Sequence, residues 1–501
     1  MRRNGPRILR KAVLGCASLL LIALAACRSR PEPQIPFHAG DARTTSTGRP
    51  NFRETPLQPY RANAVLHSPE GGGDGFGSAV AVGGPVLAVA APSAAGGGAV
   101  WVFDAFAPLK PPVRLQPPAG MDCAGFGASV SVSGQGVFVA VGAPQAKIED
   151  FEQAGRVLLW RRDGDQWKFV DSLNAEPPVE AGMLGTTVAV SESVLVAGAP
   201  KADLGNRIDA GVVVAWKREL TGTWRYAQTL LPMSQNSGSV FGESVAICDD
   251  AGPPLVREAV IGAHAARSAK GTASGNVELF RETMGRWRPA PNTLFVGSKC
   301  EPLDHFGDSV AIARGLVAIG APSANVPIAA DAGRAYVFRC DDGKNWAEDA
   351  VLDPPAPESG SNFGKLVAIC ANRVMVAAPD ARTATGRGRV FGYQREKIGN
   401  GNALVWRPLF ELTSSSPASG GVFGITVAAT GELVVVAETA GDTAPSSVHI
   451  FQRTDDALGV RLETPAEAPA PPPSPDAPAA PSQTVNSTEN PTQPPASQGS
   501  V

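Results

Sequence analysis

The chain has 501 residues, with 44 Lys and Arg against 47 Asp and Glu, a formal net charge of −3. No basic stripe runs along it, so nucleic acid is not an expected partner. Outside the N-terminal leader there is no long 3.6-residue hydrophobic period, which excludes a helical architecture.

Arg2, Arg3, Arg7, Arg10 and Lys11 form a basic start, and an apolar run from Ala12 to Ala26 follows, ending at Cys27. That run is shorter than the roughly 20 residues a spanning helix needs, so it reads as a secretory signal. Leu24-Ala25-Ala26-Cys27 resembles the bacterial lipobox. The resemblance implies cleavage before Cys27, acylation of that residue, and a membrane held through lipid rather than through a spanning helix. Arg28 follows, with no aspartate retention signal, which in a two-membrane bacterium resembles an outer-membrane address. The expected divisions are a signal peptide over 1–26, a lipidated polar tether over 27–61, and a location in the cell envelope.

From there a pair of residues returns at about the spacing of one propeller blade. The pairs are Phe76-Gly77, Phe126-Gly127, Phe241-Gly242, Phe306-Gly307, Phe363-Gly364 and Phe423-Gly424, and Leu184-Gly185 fills the gap. An alternating stretch follows each, and in most repeats a small-residue run ends in proline, as in Gly142-Ala143-Pro144 and Gly320-Ala321-Pro322. The fifth repeat predicts a first strand over Phe306 to Ile312, a second over Leu316 to Gly320, a third over Arg334 to Arg339 and a fourth from Trp346 to Leu352. Asp341-Asp342-Gly343 supplies a hairpin turn. Trp167, Trp224, Trp287 and Trp406 recur near the fourth strand, where packing on the next blade is favoured over a ligand-stacking role. The phenylalanine reads as a wedge between blades and the glycine as a point of close backbone approach near the axis.

Together these residues resemble the FG-GAP repeat of integrin α-subunit β-propellers and related bacterial surface proteins. The resemblance implies an all-β, seven-bladed propeller of four-stranded antiparallel blades over 62–463. Ala64 to His67 or Gly459 to Leu462 must close the ring, and the N-terminal segment is preferred because joining both chain ends removes an exposed edge. Beyond it, residues 464–501 are rich in Pro, Ala and Ser and read as a disordered tail.

Chemistry is sparse. The family often carries an Asp-x-Asp-x-Asp-Gly calcium loop, but that spacing does not occur here, and the stretch from Lys201 to Asp209 has its carboxylates in the wrong order. No metal and no cofactor are expected. His264 and His305 lie near loops without metal-ligand spacing. Ser129, Ser244 and Ser309 share one repeat slot and lack the Gly-x-Ser-x-Gly elbow of a nucleophile, so a structural hydroxyl is expected. Cys123, Cys248, Cys300, Cys340 and Cys370 read as buried free thiols, with Cys340 and Cys370 the least unfavourable pair. Function therefore falls to a binding module, with an axial-channel enzyme or a structural envelope component as alternatives. Strand polarity places the long loops after the second strands on one face, the face integrins use. Candidate contacts there, to a protein or glycan ligand, are Lys147, Glu149, Asp150, Asp203, Arg207, Arg267, Lys270 and Asp380.

Overall fold

The computed structural model describes residues 59–250, 256–370, 372–384, 386–397, 404–414, 420–439 and 446–454. The expected signal, Cys27, the tether up to residue 58, the tail over 464–501 and the segment Gly459 to Leu462 lie outside the described residues. Within them, 28 strands form seven antiparallel sheets of four. The blades run over 80–115, 129–173, 187–230, 244–295, 310–352 and 366–412, and the seventh joins 423–453 to Tyr60–His67. No helix among the described residues is long and apolar enough to cross a membrane.

The sequence of each strand reflects its place in the blade. Second strands lie between two neighbouring blades, and four of them are apolar throughout: Val86–Ala91, Phe138–Ala143, Val194–Ala199 and Leu316–Ala321 are buried at every residue. First strands such as Val80–Gly83 are half-buried, because one face lines the axial channel. Fourth strands form the outer edge and are largely exposed or half-buried, as in Gln166–Leu173. A bulge recurs between third and fourth strands at Trp160, Trp216, Phe280, Phe338 and Tyr393, adding local twist at an aromatic each time.

The Phe-Gly pair clasps one blade to the next. In blades one to six it precedes the first strand instead of opening it, and only Phe423–Ala429 includes the pair. The Phe306 N–H donates to Ser274 O of blade four (3.1 Å), and the Gly307 N–H donates to Gly320 O of its own blade (2.9 Å). Phe241 and Phe363 repeat the first bond to Ala210 O (3.1 Å) and Ala332 O (2.9 Å). The glycine carbonyl then accepts a hydroxyl from the preceding blade: Ser129 Oγ donates to Gly185 O (2.8 Å), Ser244 Oγ to Gly307 O (2.7 Å) and Thr426 Oγ1 to Gly77 O (3.1 Å). The recurrent hydroxyl is thus structural; Ser309 Oγ serves the same junction by accepting the Val367 N–H (3.0 Å).

Glycine is required on both sides of the clasp. The seven pair glycines have φ between +87° and +94°. They approach the second and third strands of the preceding blade, not the axis: a Cβ on Gly307 would lie 2.8 Å from Asn276 O. Opposite them, a Cβ on Gly333 (φ +84°) would lie 2.0 Å from Phe363 O. The wedge rings are fully buried, and Phe306 meets Tyr336 edge-on at 5.2 Å while packing on Val260 and Val277 of blade four. The tryptophans also pack across blades: Trp224 stands edge-on to Phe138 of blade two at 5.4 Å, and Trp406 Nε1 donates to Asp349 of blade five (2.7 Å).

Tyr60–His67 pairs with Ser447–Arg453 and closes the ring from the N-terminal side. The strand starts at Tyr60, which the sequence reading left in the tether. Tyr60 reaches into blade six, 5.1 Å from the Phe410 ring and 3.7 Å from Cys370 Sγ. All five described cysteines are free thiols, Cys340 and Cys370 included.

Replacing Phe306 with Ala should lower the unfolding free energy by about 3–5 kcal/mol, measured by denaturant titration. Gly333→Ala should cost more than about 2 kcal/mol, because collision adds to the strain of positive φ. Gly343→Ala, at φ +70° with nothing within 4 Å of its Cβ, should cost only about 1 kcal/mol; equal losses at both positions would refute the clasp.

Candidate functional site

The loops after the second strands share one backbone frame in blades two to five. A fully buried alanine (Ala146, Ala202, Ala266, Ala324) turns the chain off the strand. Its carbonyl then accepts the N–H of Gly155, Gly211, Gly275 or Gly333, at 2.9–3.0 Å. Between them Ile148 pairs with Phe151, Leu204 with Arg207, Ser268 with Gly271, and Val326 with Ala329, each through two reciprocal backbone bonds. Each loop is therefore a stiff arch with a two-residue tip. The nine-residue Ala-to-Gly spacing of the four arches is present in the sequence and marks the frame, but the loop reading passed over it.

Seven of the eight candidate contacts lie on these connections, and Asp380 lies instead within the second strand of blade six, Arg373–Arg382. Glu149 and Asp150 form the exposed tip of the blade-two arch, and Lys147 pairs with Glu152 across its base. Arg267 and Lys270 are exposed on the blade-four arch, with Lys270 Nζ donating to Ser298 O (3.0 Å). Arg207 donates to Gln235 (3.0 Å), and Asp380 accepts from Asn362 Nδ2 (2.8 Å). Asp203 accepts the Asp209 N–H (2.9 Å), while Asp209 pairs with Lys201 at 3.3 Å. Among the described residues no group of three His, Cys, Asp or Glu could hold a metal ion.

The structure adds a charged cluster at the channel mouth on the same face, which sequence reading missed. Asp308 and Lys365 each follow a Phe-Gly pair and are joined at 2.9 Å. Glu243 occupies the same slot in blade four, and burial raises its carboxyl above the usual range. The His264 and His305 rings stand perpendicular at 5.5 Å, and burial lowers the pKa of His264. Neighbouring blades bring these groups together, so no local motif announces them.

Below the mouth the axial channel, of about 520 Å³, is walled by Val, Ala and Ile of the first strands. Its acidic residues lie at the far end, where Asp249 is neutralised by Arg257 (3.1 Å) and accepts the Ser191 and Ser193 hydroxyls. Among the described residues a Ser-His-Glu set is buried in blade seven. Glu438 (2.9 Å) and Ser447 (3.1 Å) both meet His449 Nε2, whereas a nucleophilic triad needs the acid on the other ring nitrogen.

Glu278 supplies a pH signature. It is 0% exposed, accepts the Met233 N–H at 3.0 Å, and burial raises its pKa from 4.5 to about 7. A carboxyl whose folded value is raised contributes its full stability below its unfolded value, and that stability is lost as pH rises through the folded one. Unfolding free energy should therefore fall by about 3 kcal/mol between pH 4.5 and 8 on account of this group. Denaturant titrations at the two pH values should show a smaller fall in Glu278→Gln than in the parent.

Residues 296–338 match the FG-GAP repeat family model. No curated protein matches the chain. The matched stretch contains the Phe306-Gly307 pair and the first three strands of blade five. With that repeat set in a ring of seven four-stranded blades, the chain fits an integrin alpha-like FG-GAP propeller.

Proposed function

We propose that this propeller is a membrane-anchored binding module that presents its arch face to a protein or glycan partner. The observation that carries the reading is the set of four arches in consecutive blades, with one backbone frame and four different tips. A constant frame with variable tips is how a rigid scaffold carries recognition. FG-GAP propellers generally mediate protein interactions, which supports the same reading. The direction of the closing strand shows where the chain enters the ring. Tyr60 pairs with Arg453, at the end of a third strand, whereas the arches lead into the starts of third strands. The chain thus enters the ring at the end away from the arches. An anchor at Cys27 would hold the ring in the cell envelope, on the outer membrane of a two-membrane bacterium.

Capture from envelope extracts tests the face. Alanine at Glu149, Asp150, Arg207, Arg267 and Lys270 together should abolish capture of a partner the parent retains, with an unchanged melting curve. Alanine at the opposite-end turn residues Leu220 and Met284, both fully exposed, should leave capture intact. Loss in the second set alone would place the interface at the wrong end. Radiolabelled palmitate should enter the parent and not Cys27→Ser; equal labelling of both would remove the anchor.

A further inference from the structure

The crossover from blade three to blade four, residues 231–240, is held near its start by Glu278 and near its end by the blade-three arch. Glu278 belongs to the third strand of blade four, Asn276–Thr283, and is fully buried. Its two carboxyl oxygens share the Met233 N–H at 3.0 Å, and the Ser234 N–H adds a second backbone bond. Farther along, the Gly238 N–H donates to Ile208 O (2.8 Å) and the Val240 N–H to Asp209 O (3.1 Å). With the bond from Arg207 to Gln235 (3.0 Å), these tie the crossover to the limb of the arch that follows its tip.

Among the described residues no cation compensates Glu278. Its partners across the sheet are Ile261 and Leu294. Ile261 and Phe280 share a core with Val213, Ala215 and Leu230 of blade three. The crossover itself carries no ionisable side chain. The charged groups of the elements packed here are spent on one another. Glu282 bonds Arg257 (2.7 Å) and Lys217 of blade three (3.0 Å), and Glu258 bonds Arg281 (3.0 Å). Arg225 pairs with Glu219 (3.0 Å), and Asp209 of the arch with Lys201 (3.3 Å). Arg286 and Arg288 are exposed at the far end of the fourth strand. A carboxyl in such a place favours its neutral form, because burial penalises the anion and no positive charge offsets that. Burial accordingly moves it from 4.5 to about 7. The crossover is a surface segment, with Leu231 and Met233 both nearly half-exposed, so lifting it hydrates the anion.

We propose that Glu278 is a pH-sensitive latch on the arch face: protonated, it holds the crossover and the blade-three arch in place, and ionised, it releases both. The inference rests on the binding-module reading in taking the arch face as what is regulated. A group whose pKa is raised by closure favours closure below its open value and loses that effect as pH rises through its closed value. Opening should therefore gain about a hundredfold between pH 4.5 and 8.

Amide hydrogen exchange of the full chain at these two pH values, corrected for intrinsic rates, tests the latch. Protection at Met233, Ser234, Gly238 and Val240 should fall about a hundredfold in the parent. Val326 and Ala329, bonded to each other on the blade-five arch, should change less than about threefold. In Glu278→Gln the crossover should change no more than they do. Equal protection of the crossover at both pH values overturns the latch, as does an equal fall in Glu278→Gln. Exchange of the crossover only as slow as that of Leu316–Ala321 also overturns it, because opening is then global. If Glu278→Gln does not fold, the contrast between crossover and blade-five arch in the parent decides. Partner capture from envelope extracts should weaken more from about pH 6 to about pH 8 in the parent than in Glu278→Gln. An equal change in both removes the arch from the latch's control. The expected exchange with no partner captured at either pH overturns the binding-module reading and leaves the latch standing.

Discussion

The ring depends on backbone meeting backbone where one blade touches the next. Into blades four, five and six a Phe-Gly pair donates one N–H backward and one into its own blade, Leu184-Gly185 does the same into blade three, and the carbonyls of Gly77, Gly185 and Gly307 accept a hydroxyl from behind. The distances leave no room for a Cβ: Gly320 would place one 1.8 Å from Gly364 O. Hydrogen bonds of this kind are modest singly, about 1 kcal/mol each. Repeated at the four junctions from blade two to blade six, they fix these blades relative to one another.

That constraint divides the sequence into positions that can vary and positions that cannot. Glycines at the clasp and continuous apolar runs in the second strands are imposed by neighbours on both sides. Arch tips have no such neighbour. They hold Glu-Asp in blade two, Gly-Asn in blade three, Ala-Lys in blade four and Pro-Ile in blade five on one frame. Chemical diversity is thereby concentrated at one end of a scaffold that is itself uniform. The opposite end carries the entry of the chain at Tyr60.

Blade junctions also explain where polar groups survive inside the ring. Glu278 is buried because the crossover from blade three supplies the Met233 N–H to meet it. The Asp308–Lys365 pair spans blades five and six.

The sequence by itself determined the number of blades, their four-strand order and the wedge residues, because each repeat shows the same local signals. Phe306, Val310 to Ile312, Leu316 to Gly320 and Arg334 to Arg339 could be assigned from one repeat read against the others. It also located the arch loops and placed seven of the eight candidate contacts on them, Asp380 falling in a strand of blade six. Only the tertiary structure decided which of those side chains are spent within the fold, as with Asp203 on the Asp209 N–H and Asp380 on Asn362. It alone put Tyr60 inside the ring and brought His264 to His305. The reason is physical: strand patterns are set by residues two apart along the chain, whereas a site between blades is set by residues about 50 apart, whose meeting depends on how the ring closes.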